Sequence, residues 1–176
     1  MTRQKRTVAD IKYMVLHHTA SNDRYSTHEI LAEHLKATGL GYHVTVDDDA
    51  VFQAKAAGAD GKFTWKQQAP DDEVVWGAAG CNYSGWHISI DGNSQETPVT
   101  DDEKHAVVQI MAAKAKAWGW RKGDVLGTRT QGSRIVGHNY VGTHISKTRY
   151  GTECPGRPLI AWIPELRIRV AAYLPD

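Results

Sequence analysis

Cysteine is scarce in this chain. There are two among 176 residues, Cys81 and Cys154, and they form no Cys-x-x-Cys pair. This excludes a disulfide scaffold and a close-paired structural zinc site, leaving a reducing compartment or a single metal or redox centre. Net charge is nearly absent too, at +1 from 21 basic and 20 acidic residues. That excludes the electrostatic footprint of a nucleic-acid or membrane-surface binder. No apolar run approaches the roughly 20 residues a spanning helix needs. The basic start, Met1 to Arg6, leads into Thr7-Val8-Ala9-Asp10 and not into an apolar h-region, so no signal peptide is expected. The expectation is a soluble chain made in the cytoplasm, which needs another agent to carry it across a membrane. Repeats and low-complexity tracts are missing as well. What is present, 41% hydrophobic residues over this length, suffices for one buried core. A single domain over 1–176, with its core at about 8–174, is expected.

Residues 11–16 (Ile-Lys-Tyr-Met-Val-Leu) are β-rich and apolar toward their end, which predicts a largely buried strand. The strand runs into His17-His18-Thr19-Ala20, where α/β folds tend to keep their chemistry; an ordinary strand-end loop is the alternative. Ser26 or Thr27 caps a predicted helix to about Thr38, with Ile30, Leu31, His34 and Leu35 as its buried stripe. Residues 41–46 and 50–54 flank three aspartates and read as a β-hairpin around a solvated turn, since the Gly and distal Glu of an EF-hand are missing. Residues 55–73 read as a long loop, with Trp65 lining a groove or anchoring the loop. Residues 74–77 and 86–90 read as short strands. Cys81, among small apolar neighbours, reads as a core-lining thiol. Thr100-Asp101-Asp102-Glu103 is a capping box that opens a helix to about Trp118, with His105 solvated. Residues 134–138 form a second short apolar strand that delivers His138, and a loop runs on to Cys154. Residues 158–163 predict a helical turn. Pro164, suited to a first helical position, then opens a last helix to about Tyr173.

Gly151-Thr152-Glu153-Cys154-Pro155-Gly156 holds its cysteine on a stiff bend bracketed by turn-formers. A thiolate needs a nearby cation or base, and the chain carries nine histidines. Two strand-end histidines together with Cys154 make a His-His-Cys set. Zinc accepts imidazole nitrogen and thiolate sulfur, and three protein ligands with an open fourth position is the pattern of catalytic zinc. Spacing alone leaves the set open, because its members are far apart in the chain.

Four segments carry a more specific signal: Val15-Leu16-His17-His18-Thr19-Ala20, Gly41-Tyr42-His43, Val136-Gly137-His138-Asn139-Tyr140-Val141 and Thr152-Glu153-Cys154-Pro155-Gly156. In this order and with these gaps the chain resembles the type 2 N-acetylmuramoyl-L-alanine amidases. That family includes phage lysozyme-like endolysins and animal peptidoglycan recognition proteins. The resemblance spans residue 11 to the last helix and implies an α/β fold, a central mixed β-sheet flanked by helices in a single domain. It implies one zinc ion (Zn2+) per chain on His17, His138 and Cys154, with His18 not a ligand. It also implies Tyr42 beside the attacking water and Thr152 as donor to the developing oxyanion. The chain departs from relatives at Ala79, where many carry His, and at Ser89, where some carry a catalytic Glu. Tyr42 and Thr152 are therefore the expected catalytic residues, with Asp91 in reserve. His43, Asn82 and Trp86 are expected to shape the substrate groove, with packing or turn-capping as the alternative for each.

The implied activity is zinc-dependent hydrolysis of the amide between the lactyl group of N-acetylmuramic acid and L-alanine in peptidoglycan. The implied setting is a phage endolysin that lyses its host after holin-mediated release. Peptidoglycan is the expected partner, with no nucleic acid or membrane, and the protein is expected to be a monomer. The alternatives are a cytoplasmic muropeptide-recycling amidase and a peptidoglycan-binding module without catalysis. Intact His17, His138 and Cys154 argue against the module, because non-catalytic relatives typically lose the cysteine.

Overall fold

The computed structural model describes residues 4–20, 37, 39, 41–47, 64–128, 131–147 and 151–176. Five strands, β1 (Tyr13–His18), β2 (Val44–Asp47), β3 (Thr64–Gln67), β4 (Gly85–Ile90) and β5 (Ile135–Gly137), form one sheet in the order β3-β2-β4-β1-β5. β4 pairs in parallel with β1 and β2, and β1 with β5, while β3 runs antiparallel to β2. The sheet is thus mixed, with helices against it, in a single α/β domain.

The strands have two unlike faces. Register sets Val15 opposite His87 and Val136, and Ser89 opposite both His17 and Thr45. Because successive side chains alternate, one face carries Val15, His17, Thr45, His87, Ser89 and Val136. The other carries Met14, Leu16, Val44, Val46, Trp86, Ile88, Ile90 and Ile135. All of these are buried. The apolar face meets helices α1 (Asp101–Ala117) and α4 (Arg157–Ala171) in the main core, which Ala106, Val107, Met111, Leu159, Leu166 and Val170 complete. The polar face has only a small apolar cluster, Val15, Ala78, Cys81, Val136 and Val141.

α1 begins as the sequence predicts. The Thr100 hydroxyl accepts the Glu103 N–H at 3.2 Å, and the Glu103 carboxylate accepts the Thr100 N–H at 2.8 Å. Gly119 at φ +72° follows its end. Between α1 and β5 lies the short α2 (Lys122–Leu126), and after β5 a helical turn α3 (His138–Tyr140) continues as a π-helical turn (Val141–Ile145). The N-terminal segment is fastened by Arg6, whose buried guanidinium donates to the carbonyls of Asn82, Tyr83 and Gly85 at 3.1, 2.6 and 2.7 Å. Among the described residues no helix is long and apolar enough to cross a membrane.

Several expectations change. The partner of β2 is β3, inside the stretch read as a loop, and Trp65 on β3 packs against the main core. The expected helix over 26–38 and the second hairpin strand over 50–54 lie outside the described residues, apart from isolated positions. Residues 74–77 form no strand; an isolated bridge just before them pairs Glu73 with Lys5. The last helix is continuous through Pro164 and starts at Arg157, with Pro158 in its first turn. Pro164 is exposed, so the carbonyl that loses its partner can turn to water, while Leu159, Trp162, Ile163 and Leu166 hold both halves in the core.

Ile88→Ala, at a fully buried position of the central strand β4, is expected to lower stability by about 2–5 kcal/mol. Urea unfolding measures it, and a loss below about 1 kcal/mol would contradict this account of the core.

Candidate metal centre and active site

β1 brings His17 and His18 to the end of the sheet and alternation sends them to opposite sides. His17 joins the polar face and is 1% exposed. His18 turns to the loop after β4, where its Nδ1 accepts the Ser94 N–H at 3.2 Å. The Ser94 hydroxyl in turn donates to the Pro155 carbonyl, tying that loop to the Cys154 bend. β5 ends one residue before His138, whose ring lies 4.7 Å from that of His17.

The Cys154 loop is held from several sides. The Cys154 carbonyl accepts the Asn139 N–H at 2.7 Å, joining the loop to the start of α3. The peptide to Pro155 is cis, and Gly156 at φ +90° leads directly into α4. A Cβ on Gly156 would overlap the Ser94 hydroxyl, so only glycine fits there. Thr152 accepts the Cys154 N–H at 3.1 Å, which leaves its hydroxyl hydrogen to be donated.

These constraints converge three donor atoms. One ligand atom each from His17, His138 and Cys154 lie within 4.8 Å of one another. Cys154 Sγ is 3.6 Å from His17 Nδ1. Tetrahedral zinc with Zn–N near 2.0–2.1 Å and Zn–S near 2.3 Å needs an edge of roughly 3.5 Å. The donor set therefore fits zinc, and the Cys154–His17 spacing matches one edge of its tetrahedron. Burial, then the neighbouring imidazoles of His87, His138 and His18, holds the His17 pKa well below its ordinary 6.5. Burial also lowers His138. Both imidazoles are thus neutral near pH 7, the form that ligates a metal. Burial pushes the Cys154 thiol up to about 12, so as a bare thiol it is a poor nucleophile.

His18, Tyr42, Trp76, His138, Thr152 and Cys154 open onto a cleft of about 390 Å³. The Tyr42 ring lies 5.1 Å from that of His17. Glu153 is exposed at the rim, where it accepts from the Gln95 side chain at 3.0 Å.

The family model described as N-acetylmuramoyl-L-alanine amidase matches residues 7–157. The chain belongs to this amidase family. Among solved structures, the N-acetylmuramoyl-L-alanine amidase LysC from Clostridium intestinale URNW is similar at a TM-score of 0.63 and 20% identity, over 97% of this chain and 93% of its own. The endolysin of bacteriophage Ph2119 from Thermus scotoductus MAT2119 gives 0.59 and 21%, over 92% and 89%. Bumblebee PGRP-SA gives 0.59 and 19%, over 92% and 84%. At these identities the structures share the fold. No curated protein sequence matches the chain. Family membership supports N-acetylmuramoyl-L-alanine amidase activity for this chain.

Against this family background, the structure brings four of the expected site residues to one cleft, Tyr42, His138, Thr152 and Cys154, with His17 buried beside them. The three expected groove residues stand elsewhere. His43 is fully buried, its Nδ1 accepting the His87 N–H and its Nε2 reaching the Glu73 carbonyl, each at 2.9 Å. Trp86 is fully buried on the apolar face, its indole donating to Asp71 at 2.9 Å. Asn82 caps a turn by accepting the Ala78 N–H at 2.9 Å. Asp91 is engaged by the Thr19 hydroxyl and is not part of the cleft wall. Sequence reasoning missed Trp76, which stands 65% exposed at the cleft and not in a strand. It also missed His87, whose Nδ1 lies 3.0 Å from His17 Nε2. The alternation of 86–90 was visible, but only the register of β4 on β1 shows that His87 shares a face with His17.

Burial holds the His87 pKa, like that of His17, well below 6.5. The unfolded chain takes up these protons near pH 6.5 and the folded chain only far below it. Stability from the neutral rings is therefore complete above about 6.5 and is lost as the pH falls toward the folded pKa values. Metal-free protein should show a thermal midpoint that drops steadily from about pH 7.5 to about pH 5.5. A midpoint that stays level or rises across that window contradicts the burial of neutral histidines.

Proposed function

We propose that the chain is a zinc-dependent amidase domain that hydrolyses the bond between the lactyl group of N-acetylmuramic acid and L-alanine in peptidoglycan. The observation that carries this reading is the convergence of His17, His138 and Cys154 on one point at the floor of an open cleft. These three residues would hold one zinc ion. Bound zinc would lower the pKa of a water toward about 7 and polarise the scissile carbonyl.

The remaining roles fall to this chain's own groups. The Thr152 hydroxyl, whose oxygen accepts from Cys154 N–H, presents its hydrogen to the oxyanion that forms as the carbonyl is attacked. Tyr42 lies on the His17 side of the cleft, where its phenol orients the attacking water and relays a proton to the leaving amine. Trp76 offers an exposed aromatic face at the cleft mouth for the apolar face of a sugar ring. The similarity to phage endolysins supports a role in host lysis; the acting species would be a monomer, bacteriolytic and antimicrobial at the cell wall.

The test is direct. Protein carrying one zinc per chain should clear cell-wall suspensions and release new N-terminal alanine. Wall binding without any new amine would sink the enzyme reading in favour of a recognition module. Cys154→Ser should lose both metal and turnover, whereas Cys81→Ser, in the small apolar cluster, should keep its metal; the reverse outcome reassigns the ligand. Thr152→Val should lower kcat by about 100-fold with zinc content unchanged. A rate within about threefold of wild type would remove Thr152 from the oxyanion role.

A further inference from the structure

The imidazole of His87 lies behind His17, on the side away from Cys154. His17 Nδ1 faces the sulfur at 3.6 Å, while its Nε2 faces His87 Nδ1 at 3.0 Å. A neutral imidazole carries one ring hydrogen, and only the bare nitrogen can bind a metal. We propose that His87 is a positioning residue: by accepting the His17 Nε2–H, it fixes the tautomer and ring plane that offer His17 Nδ1 to the metal. This rests on the zinc-site reading above.

The surroundings of His87 are built for that contact. His43 does not compete for its Nδ1, because His43 takes the His87 backbone N–H through its own Nδ1 and reaches the Glu73 carbonyl through its Nε2. The His43 ring lies parallel to the His87 ring, 5.8 Å away at an interplanar angle of 7°. Two glycines make the space. A Cβ on Gly77 would come within 2.8 Å of His87 Nδ1, and one on Gly85 within 2.9 Å of His87 Nε2. Real Cβ atoms do not approach that closely, although at Gly85 the Cys81 carbonyl, 2.7 Å from the same point, bars a side chain as well.

His87 gains little for itself in this position. With its Nδ1 accepting, its hydrogen must sit on Nε2, and that atom is buried with no hydrogen-bond partner among the described residues. An apolar side chain would fill the same space without leaving a buried donor unpaired. The ring therefore earns its place through its other nitrogen. Outer partners of this kind orient metal-bound histidines and raise their basicity, and losing one typically weakens metal binding by about 10- to 100-fold.

The experiment compares wild type, His87→Leu and His87→Asn by zinc affinity in chelator competition, and reads the His17 tautomer in metal-free wild type by nitrogen-15 NMR. Leucine fills the volume without an acceptor, whereas asparagine keeps an oxygen near the position of Nδ1. We expect His87→Leu to bind zinc about 10- to 100-fold more weakly and His87→Asn to stay within about threefold of wild type. In metal-free wild type, His17 should carry its hydrogen on Nε2. Wild-type affinity in His87→Leu, equal weakening in both variants, or an Nδ1–H tautomer in His17 would each overturn the proposal. If His87→Leu does not fold, the wild-type tautomer decides. If wild type takes up no zinc at all, the zinc reading fails, and the tautomer still decides whether His87 positions His17.

Discussion

The period-two alternation of the strands is the constraint on which the rest of this molecule depends. It sends hydrocarbon to one side of the sheet, where α1 and α4 cover it, and imidazoles, hydroxyls and small apolar groups to the other. A shift of one residue in β1 would exchange His17 with Leu16 or His18 and so place a histidine in the main core. The hydrophobic core thus does more than stabilise the chain. It fixes which of two adjacent histidines joins His138 and Cys154.

The polar face lies in a region of low dielectric, and its chemistry follows from that. Buried histidines there resist protonation, so they stand as neutral bases close to one another without the repulsion that charged rings would bring. The same burial makes the Cys154 thiol reluctant to ionise. A cation with affinity for nitrogen and sulfur relieves that burden, which is why this environment suits a soft divalent metal better than a nucleophilic cysteine.

Much of this was legible in the chain itself. The strand-end histidines His17 and His138, the turn around Cys154 and the capping box at Thr100 depend on short-range patterns, and the structure brings the first three together and opens α1 at the fourth. The misreadings have a common physical source. Trp86 follows its alternative of packing, because register turns it to the apolar face, and His43, just before β2, is buried by the contacts its ring makes to His87 and Glu73. β3 was hidden because a short edge strand of Thr, Trp, Lys and Gln is too polar to stand out from a loop. Pro164 marked a helix start by local preference, and core packing on both sides overruled it. His87 could not be singled out, because its significance lies in a contact across strands 70 residues apart in sequence.

The fastening of the Cys154 bend has a mechanical consequence. The sulfur's residue is bonded through its carbonyl to the start of α3, through Pro155 to the loop after β4, and through Gly156 to the first turn of α4, whose next residues enter the main core. The bend is therefore tied to three elements at once. The position of the sulfur is inherited from the packing of α4 against the sheet. A cavity opened under that helix would reach the sulfur as a displacement, so the candidate site reports on the integrity of the core beneath it.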